Sequence, residues 1–180
     1  MKYFIISQNL VKSDLRLPKH AILRVNLAWH KNLNSVKSML DKYKDREIFL
    51  DIPIGRKKPP NYDHNIDHIA QMANNCANVK YVAISNIEDP AAIRHYNKRF
   101  KANIVPKIET HKGVLRSDEI IQALNYVPQI LMLDHEDLFT DLIHHGQEKH
   151  YLDIVKALVK TCKKHKAHLL RVKGIIFSNI

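Results

Sequence analysis

Glycine is scarce in this sequence: the chain of 180 residues contains four, at positions 55, 113, 146 and 174. No two of them fall within one short loop, which excludes the glycine-rich cradles that hold phosphates in P-loop and dinucleotide-binding proteins. An anionic ligand would therefore have to be held by side chains.

Cysteine and long apolar runs are scarce too. Cys76 and Cys162 lie far apart and belong to no CxxC motif, which excludes a disulfide framework and a structural zinc site and favours a reducing compartment. No apolar stretch reaches the length of about 18 residues that a membrane helix needs, and the apolar run near the N-terminus is too short for a signal peptide. These absences predict a soluble, cytoplasmic protein with no membrane partner.

Acidic residues are in the minority, because 18 Asp and Glu stand against 29 Lys and Arg, a formal net charge of +11. This excess predicts an anionic partner. Basic residues cluster at 56–58, 98–101 and 160–166, but only 7% of the residues are aromatic and no nucleic-acid-binding motif is present. The sequence therefore argues against nucleic acid and favours a small anion such as a carboxylate or a phosphate ester.

Segments with strand and helix patterns alternate along the chain. Seven strands are predicted at 2–7, 21–27, 47–54, 79–86, 102–109, 129–134 and 167–173. Helices are predicted at 34–45, 65–77, 90–100, 117–124 and 151–164. Such alternation predicts one α/β domain over residues 1–180 with a parallel sheet and helical crossovers.

A doubly wound sheet and a closed barrel both satisfy this order of segments. Nearly every predicted strand ends in polar or charged residues, which is typical of the catalytic face of a (β/α) barrel. A complete barrel of this kind needs about 200 to 250 residues. The prediction is therefore a compact or incomplete (β/α) barrel of the TIM type with about seven strands, short by about one β/α unit.

The most informative residues lie at the ends of the fifth and sixth predicted strands. Lys107 and Glu109 are two apart, so both point to one face of a strand, and Asp137 follows the next strand. Two carboxylates and water suit Mg²⁺ or Mn²⁺, with the lysine facing a substrate oxyanion. A structural ion pair between Lys107 and Glu109 is the alternative. His30 and His135 lie beside strand ends as candidate acids or bases.

Two motifs resemble a known family: residues 106–114 (PKIETHKGV) and 133–138 (LDHEDL) are similar to the metal-binding motifs of the phosphoenolpyruvate/pyruvate superfamily of (β/α) barrels. Within it they are closest to the citrate-lyase-β-like enzymes and the keto-acid aldolases. The resemblance implies that Glu109 and Asp137 bind the metal. It further implies that Lys107 and Arg24 are the catalytic charges that face a pyruvate or enolpyruvate group.

The order of segments over almost the whole chain also resembles pyruvate kinase. By this resemblance the strand ends at Asn26, Asp51 and Ser85 are assigned to substrate binding. The chain departs from pyruvate kinase after Asp51, where the lid domain is missing, and at the seventh strand, where Lys173 stands in place of a threonine. These departures argue against phosphoryl transfer to ADP.

Two functions from different classes follow. The first is a metal-dependent enzyme that cleaves or forms a carbon–carbon bond of a keto acid through a metal-stabilised enolate. The alternative is a catalytically inactive, pyruvate-kinase-like binding or regulatory protein, assembled as a homo-oligomer that covers the open side of the barrel. A nucleic-acid-binding module is a third prediction that rests on the charge alone.

Overall fold

The structure is a computed structural model that describes residues 5–7, 18–55, 59–60, 62 and 64–171. Within these residues lie seven strands and seven α-helices. The strands are β1 (Ile5–Ser7), β2 (Ile22–Asn26), β3 (Ile48–Ile52), β4 (Val79–Ile84), β5 (Asn103–Ile108), β6 (Ile130–Leu133) and β7 (His168–Arg171). The helices are α1 (Leu33–Lys42), α2 (Ile66–Asn74), α3 (Pro90–Arg99), α4 (His111–Leu115), α5 (Ser117–Gln122), α6 (His135–His144) and α7 (Tyr151–Lys164).

The strands follow one another in the sheet in chain order, from β1 to β7. The pairs β1–β2, β2–β3, β3–β4, β5–β6 and β6–β7 are parallel. Parallel strands in chain order, connected by helices, are the arrangement of a (β/α) barrel. The fold is an incomplete α/β barrel, and the predicted fold class is confirmed.

Side-chain caps begin several helices immediately after a strand or loop. The side chains of Asn32, Asn65, Thr110 and Asp134 accept hydrogen bonds from backbone N–H groups in the first turns of α1, α2, α4 and α6. Such caps satisfy donors that the first turn of a helix leaves without a partner. Two of these capping residues, Thr110 and Asp134, lie within two residues of the ends of β5 and β6, so a helix begins soon after each strand.

The chain divides into two compact units. Unit 1 comprises residues 1–85 and 94–105 and has a core of fully buried strand residues such as Val25, Leu50 and Val82. Unit 2 comprises residues 86–93 and 106–180, and Ile108 of β5 and Leu133 of β6 are fully buried in its core. The single domain over residues 1–180 stays a prediction.

Helices α4 and α6 were not among the predicted segments. Helix α4 has five residues, too few to display a helical period. In α6 the residues Leu138 and Leu142 are buried, whereas Phe139 and Ile143 are 40% and 52% exposed. These four apolar residues span one arc of about 140° on the helix, an amphipathic pattern that sequence analysis missed.

The seventh predicted strand, 167–173, is found as β7, and its last two positions, including Lys173, lie outside the described residues.

Among the residues that the structure describes, no helix combines the length and the hydropathy that crossing a membrane requires.

Candidate metal centre

The centre of the candidate site is an ion pair at the carboxyl end of β5. Lys107 lies opposite Met132 of β6 in the parallel register. The side chains of Lys107 and Glu109 point the same way, as residues two apart on a strand do, and Lys107 Nζ lies 2.8 Å from Glu109 Oε1. Both residues are buried, with 5% and 4% of their surface exposed.

The second carboxylate oxygen of Glu109 is also engaged. Glu109 Oε2 accepts a hydrogen bond of 2.8 Å from the backbone N–H of Asn86, just beyond β4. Asn86 has a φ of 54°, a left-handed conformation that asparagine tolerates better than most residues. That backbone turn brings its N–H to Glu109, so the carboxylate is held at both oxygens.

Two further carboxylates come from the first turn of α6. Asp134 directly follows β6, and its Oδ1 accepts a hydrogen bond of 3.3 Å from the N–H of Asp137. Glu109, Asp134 and Asp137 each offer one carboxylate oxygen, and these three atoms lie within 4.8 Å of one another. The structure therefore brings together the two predicted metal ligands and adds Asp134.

Sequence analysis missed Asp134 as a ligand. The signal that could have found it is its position at the end of a predicted strand, three residues before Asp137, where an aspartate caps a helix. A cap at that position directs its carboxylate towards the same first turn that carries Asp137.

The electrostatics of this cluster disfavour the ionised form of Glu109. Burial raises the pKa of the Glu109 carboxyl, and the Asp137 carboxylate raises it too, although Lys107 and the Asn86 N–H oppose both effects. The donor set of three carboxylates is hard and consists of oxygen alone. Such a set suits Mg²⁺ or Mn²⁺, so the residues fit the metal that the sequence predicts.

His135 contacts a tyrosine next to this cluster. Its Nδ1 and the Tyr151 hydroxyl form a short hydrogen bond, and the Tyr151 ring packs edge-on against Phe139 with centroids 5.3 Å apart. Burial lowers the pKa of His135, and Arg171 lowers it further, whereas Asp134 acts in the opposite direction. A role of His135 as acid or base stays a prediction, with Nδ1 already engaged.

In unit 1, the predicted catalytic Arg24 pairs with the predicted substrate-binding Asp51. Arg24 Nε donates to Asp51 Oδ2 over 2.9 Å, and Arg24 Nη2 bonds the same oxygen. The side chain of Asp51 is 1% exposed and that of Arg24 is 20% exposed. Each therefore compensates the charge of the other, and their contact with a substrate stays a prediction.

The other predicted residues of unit 1 hold the backbone at strand ends. Asn26 Oδ1 accepts from the N–H of Ala28 over 3.0 Å and caps a 3₁₀ turn at Leu27–Trp29. Ser85 is buried, and its N–H donates to the Ile52 carbonyl over 3.3 Å. The substrate-binding roles of Asn26 and Ser85 stay predictions. His30, also buried, bonds the Ser35 hydroxyl through Nδ1 at 3.0 Å.

No protein-family model and no curated protein sequence matches the chain. Solved structures do match it in fold. An HpcH/HpaI aldolase from Desulfitobacterium hafniense is 11% identical, with a TM-score of 0.67, and the match covers 97% of this chain and 79% of the aldolase chain. RipC from Yersinia pestis is 12% identical, with a TM-score of 0.64, and the match covers 98% of this chain and 77% of the RipC chain.

A third match is the citrate lyase β subunit from M. tuberculosis, whose structure was solved with oxaloacetate and magnesium. It has 13% identity and a TM-score of 0.62, over 96% of this chain and 78% of its own. The fold that the resemblance to the phosphoenolpyruvate/pyruvate superfamily implies is thus confirmed, while its pyruvate-kinase-like detail stays a prediction. The chain has an incomplete (β/α) barrel fold and is similar in fold to these three structures.

Proposed function

We propose that the chain is a divalent-metal-dependent enzyme that acts on a keto acid of the pyruvate or enolpyruvate type by carbon–carbon lyase or aldolase chemistry. The observation that carries this proposal is the meeting of Glu109, Asp134 and Asp137 beside the buried Lys107 at the ends of β5 and β6. In (β/α) barrels the carboxyl ends of the strands carry the catalytic residues.

The fold comparisons support the choice of metal and substrate class. The citrate lyase β subunit binds magnesium and oxaloacetate, and a CitE structure from the same organism contains magnesium, acetoacetate and coenzyme A. Keto acids therefore occur as ligands on this fold. Mn²⁺ has the same preference for oxygen ligands and is included in the proposal on that ground.

The residues of unit 2 have two proposed roles, metal binding and attraction of the substrate. Glu109, Asp134 and Asp137 would hold the cation, and the cap on α6 keeps the two aspartates on one turn. A bound divalent cation supplies Lewis acidity, which lowers the free energy of an enolate derived from the keto acid. Lys107 contributes a positive charge in a buried setting, where it attracts an anionic group strongly.

Arg24 is proposed as the second positive charge that holds the acid, with Asn26, Asp51 and Ser85 as substrate-binding residues. These four proposals rest on the sequence resemblance and on position. Asn26 ends β2, Asp51 is the residue before the last of β3 and Ser85 directly follows β4, whereas Arg24 lies within β2. A homo-oligomer remains a proposal that rests on the open barrel alone.

Deuterium exchange into pyruvate tests the function without knowledge of the natural substrate. An enzyme that forms the enolate exchanges the methyl protons of pyruvate in D₂O, which proton NMR follows directly. We expect exchange that requires Mg²⁺ or Mn²⁺ and falls by about 100-fold or more in Glu109→Gln and in Asp137→Asn. Calorimetry on the same proteins measures metal binding.

Asp153→Asn is the matched control, since it removes an exposed carboxylate that pairs with Lys156 on α7. Its exchange rate should equal that of the parent protein. The proposal fails if the parent binds neither metal at millimolar concentration. Binding of metal and oxalate without any exchange would instead favour the catalytically inactive binding protein.

A further inference from the structure

Every oxygen of the Glu109 carboxylate already has a hydrogen-bonding partner in the protein. Oε1 contacts the Lys107 ammonium at 2.8 Å, and Oε2 accepts the Asn86 N–H at 2.8 Å. The Asn86 donor belongs to the backbone and cannot leave without a change of conformation. The ammonium of Lys107 ends a flexible side chain of four methylene groups and can leave by rotation about single bonds.

The charge of the cluster makes such a departure favourable once a metal is bound. Among these four side chains, three ionised carboxylates and one ammonium sum to an excess of two negative charges. A divalent cation compensates that excess, whereas the same cation beside the ammonium of Lys107 experiences like-charge repulsion. In a buried setting this repulsion is weakly screened by solvent.

We propose that Lys107 is the resident counter-ion of the Glu109 carboxylate, and that a divalent cation displaces it from Oε1 and frees its ammonium to bind the anionic group of the substrate. This inference rests on the proposed function and adds an order to it. The metal binds first, and the substrate binds second, because the charge that holds the substrate is released by the metal.

The position of Lys107 fits both roles. Its backbone is held in the parallel register opposite Met132, so β5 stays in place while the ammonium moves. Glu109 directly follows β5, and its carboxylate lies on the same side as the Lys107 ammonium, so a displaced ammonium remains on the side of the carboxylates. A substrate bound to the metal would therefore lie within reach of the released charge.

Mn²⁺ titration of Lys107→Met tests the displacement directly. Removal of the competing ammonium should tighten Mn²⁺ binding by about tenfold or more, measured by calorimetry. Lys112→Met is the matched control, because it removes an exposed lysine of the same unit that pairs with Glu88 at 3.1 Å. Its Mn²⁺ affinity should stay within about twofold of the parent value.

Oxalate, a dianion that resembles a planar keto acid, tests the order of binding. The parent protein should bind oxalate in the presence of Mn²⁺ and at least about tenfold more weakly in its absence. Lys107→Met with saturating Mn²⁺ should bind oxalate about tenfold more weakly than the parent does. Equal oxalate binding by the parent with and without Mn²⁺ would overturn the proposed order.

Failure of this inference is distinct from failure of the proposed function. If the parent binds no Mn²⁺, the proposed function falls and the inference falls with it. If the parent binds Mn²⁺ and Lys107→Met binds it no more tightly, the inference alone is wrong.

A second experiment serves if Lys107→Met does not fold. The parent protein is labelled with ¹³C at the lysine ε-carbon, and the NMR signal of Lys107 is assigned through its loss in Lys107→Arg. Mg²⁺ should shift the Lys107 signal, and an unchanged signal at saturation would refute displacement.

Discussion

The Lys107–Glu109 pair determines the energetics of the candidate site at the scale of single residues. Removal of two charges from water costs free energy that their attraction offsets only in part. The raised pKa of Glu109, which burial causes first and Asp137 increases, indicates that the offset is incomplete. A pair in this state agrees with the proposed metal site.

Breaking the Lys107–Glu109 pair should lower the stability of the protein, and removing both charges should restore it. Glu109→Gln removes the carboxylate that pairs with the buried Lys107 ammonium and leaves the Asp134 and Asp137 carboxylates in the cluster, so it should lower the free energy of unfolding by about 1–3 kcal/mol. Adding Lys107→Met removes the ammonium that has lost its paired carboxylate and should restore most of that loss. Urea denaturation without metal measures both values.

Glu119→Gln is the control for this cycle, because Glu119 forms an exposed ion pair with Arg116 at 2.7 Å. Its effect on the free energy of unfolding should be within about 1 kcal/mol. Equal losses for Glu109→Gln and for the double variant would contradict the assigned role of the Lys107 charge.

At the scale of elements, Asp134 at the start of α6 has a structural role as helix cap and a proposed chemical role as metal ligand. Asp134 caps the helix through the Asp137 N–H and is also one of the three carboxylates of the candidate metal centre. An amide keeps the cap and changes the charge, whereas alanine removes both. The two roles can therefore be separated by substitution.

Two variants of Asp134 should behave differently. Asp134→Asn keeps an oxygen that can accept from the Asp137 N–H, so stability without metal should change by less than about 0.5 kcal/mol. Asp134→Ala should cost about 1 kcal/mol in the free energy of unfolding. Both should weaken Mn²⁺ binding, which calorimetry measures. Unchanged Mn²⁺ affinity in both variants would leave Asp134 as a cap alone.

The elements also show how far sequence patterns reach. The strands β2 to β7 lie within the predicted segments, because each carries a run of apolar or β-branched residues bounded by polar ones. Helix α6 was missed although Leu138, Phe139, Leu142 and Ile143 fall on one arc of about 140°. Its pattern was therefore readable, and the acidic first turn at the end of β6 was interpreted only as a metal-binding motif.

At the scale of the whole molecule, the core isolates reactive groups from water. Cys162 on α7 is 3% exposed, and burial raises the pKa of its thiol to about 11. The thiolate is the reactive form of cysteine, and at pH 8 it is on the order of one molecule in a thousand for such a thiol. Cys162 thus reports on the integrity of the fold.

Reaction with a thiol reagent should follow this burial. In the native protein at pH 8, Cys162 should react far more slowly than in urea, and the slow phase should disappear in Cys162→Ser. A rise of one pH unit should speed the native reaction about tenfold, since the thiolate fraction grows tenfold below the pKa. Absorbance with a chromogenic disulfide measures the rates, and a fast native reaction of Cys162 would contradict the buried position.

The sequence by itself determined the alternation of strands and helices, the barrel fold class and the common orientation of Lys107 and Glu109. These follow from local patterns, since side chains two apart on a strand share a face whatever the rest of the chain does. Only the tertiary structure decided that Asp134 joins Glu109 and Asp137 and that Asn86 holds the second oxygen of Glu109. Those contacts depend on strand register, on a helix cap and on a left-handed backbone turn, none of which a local pattern of residue types specifies.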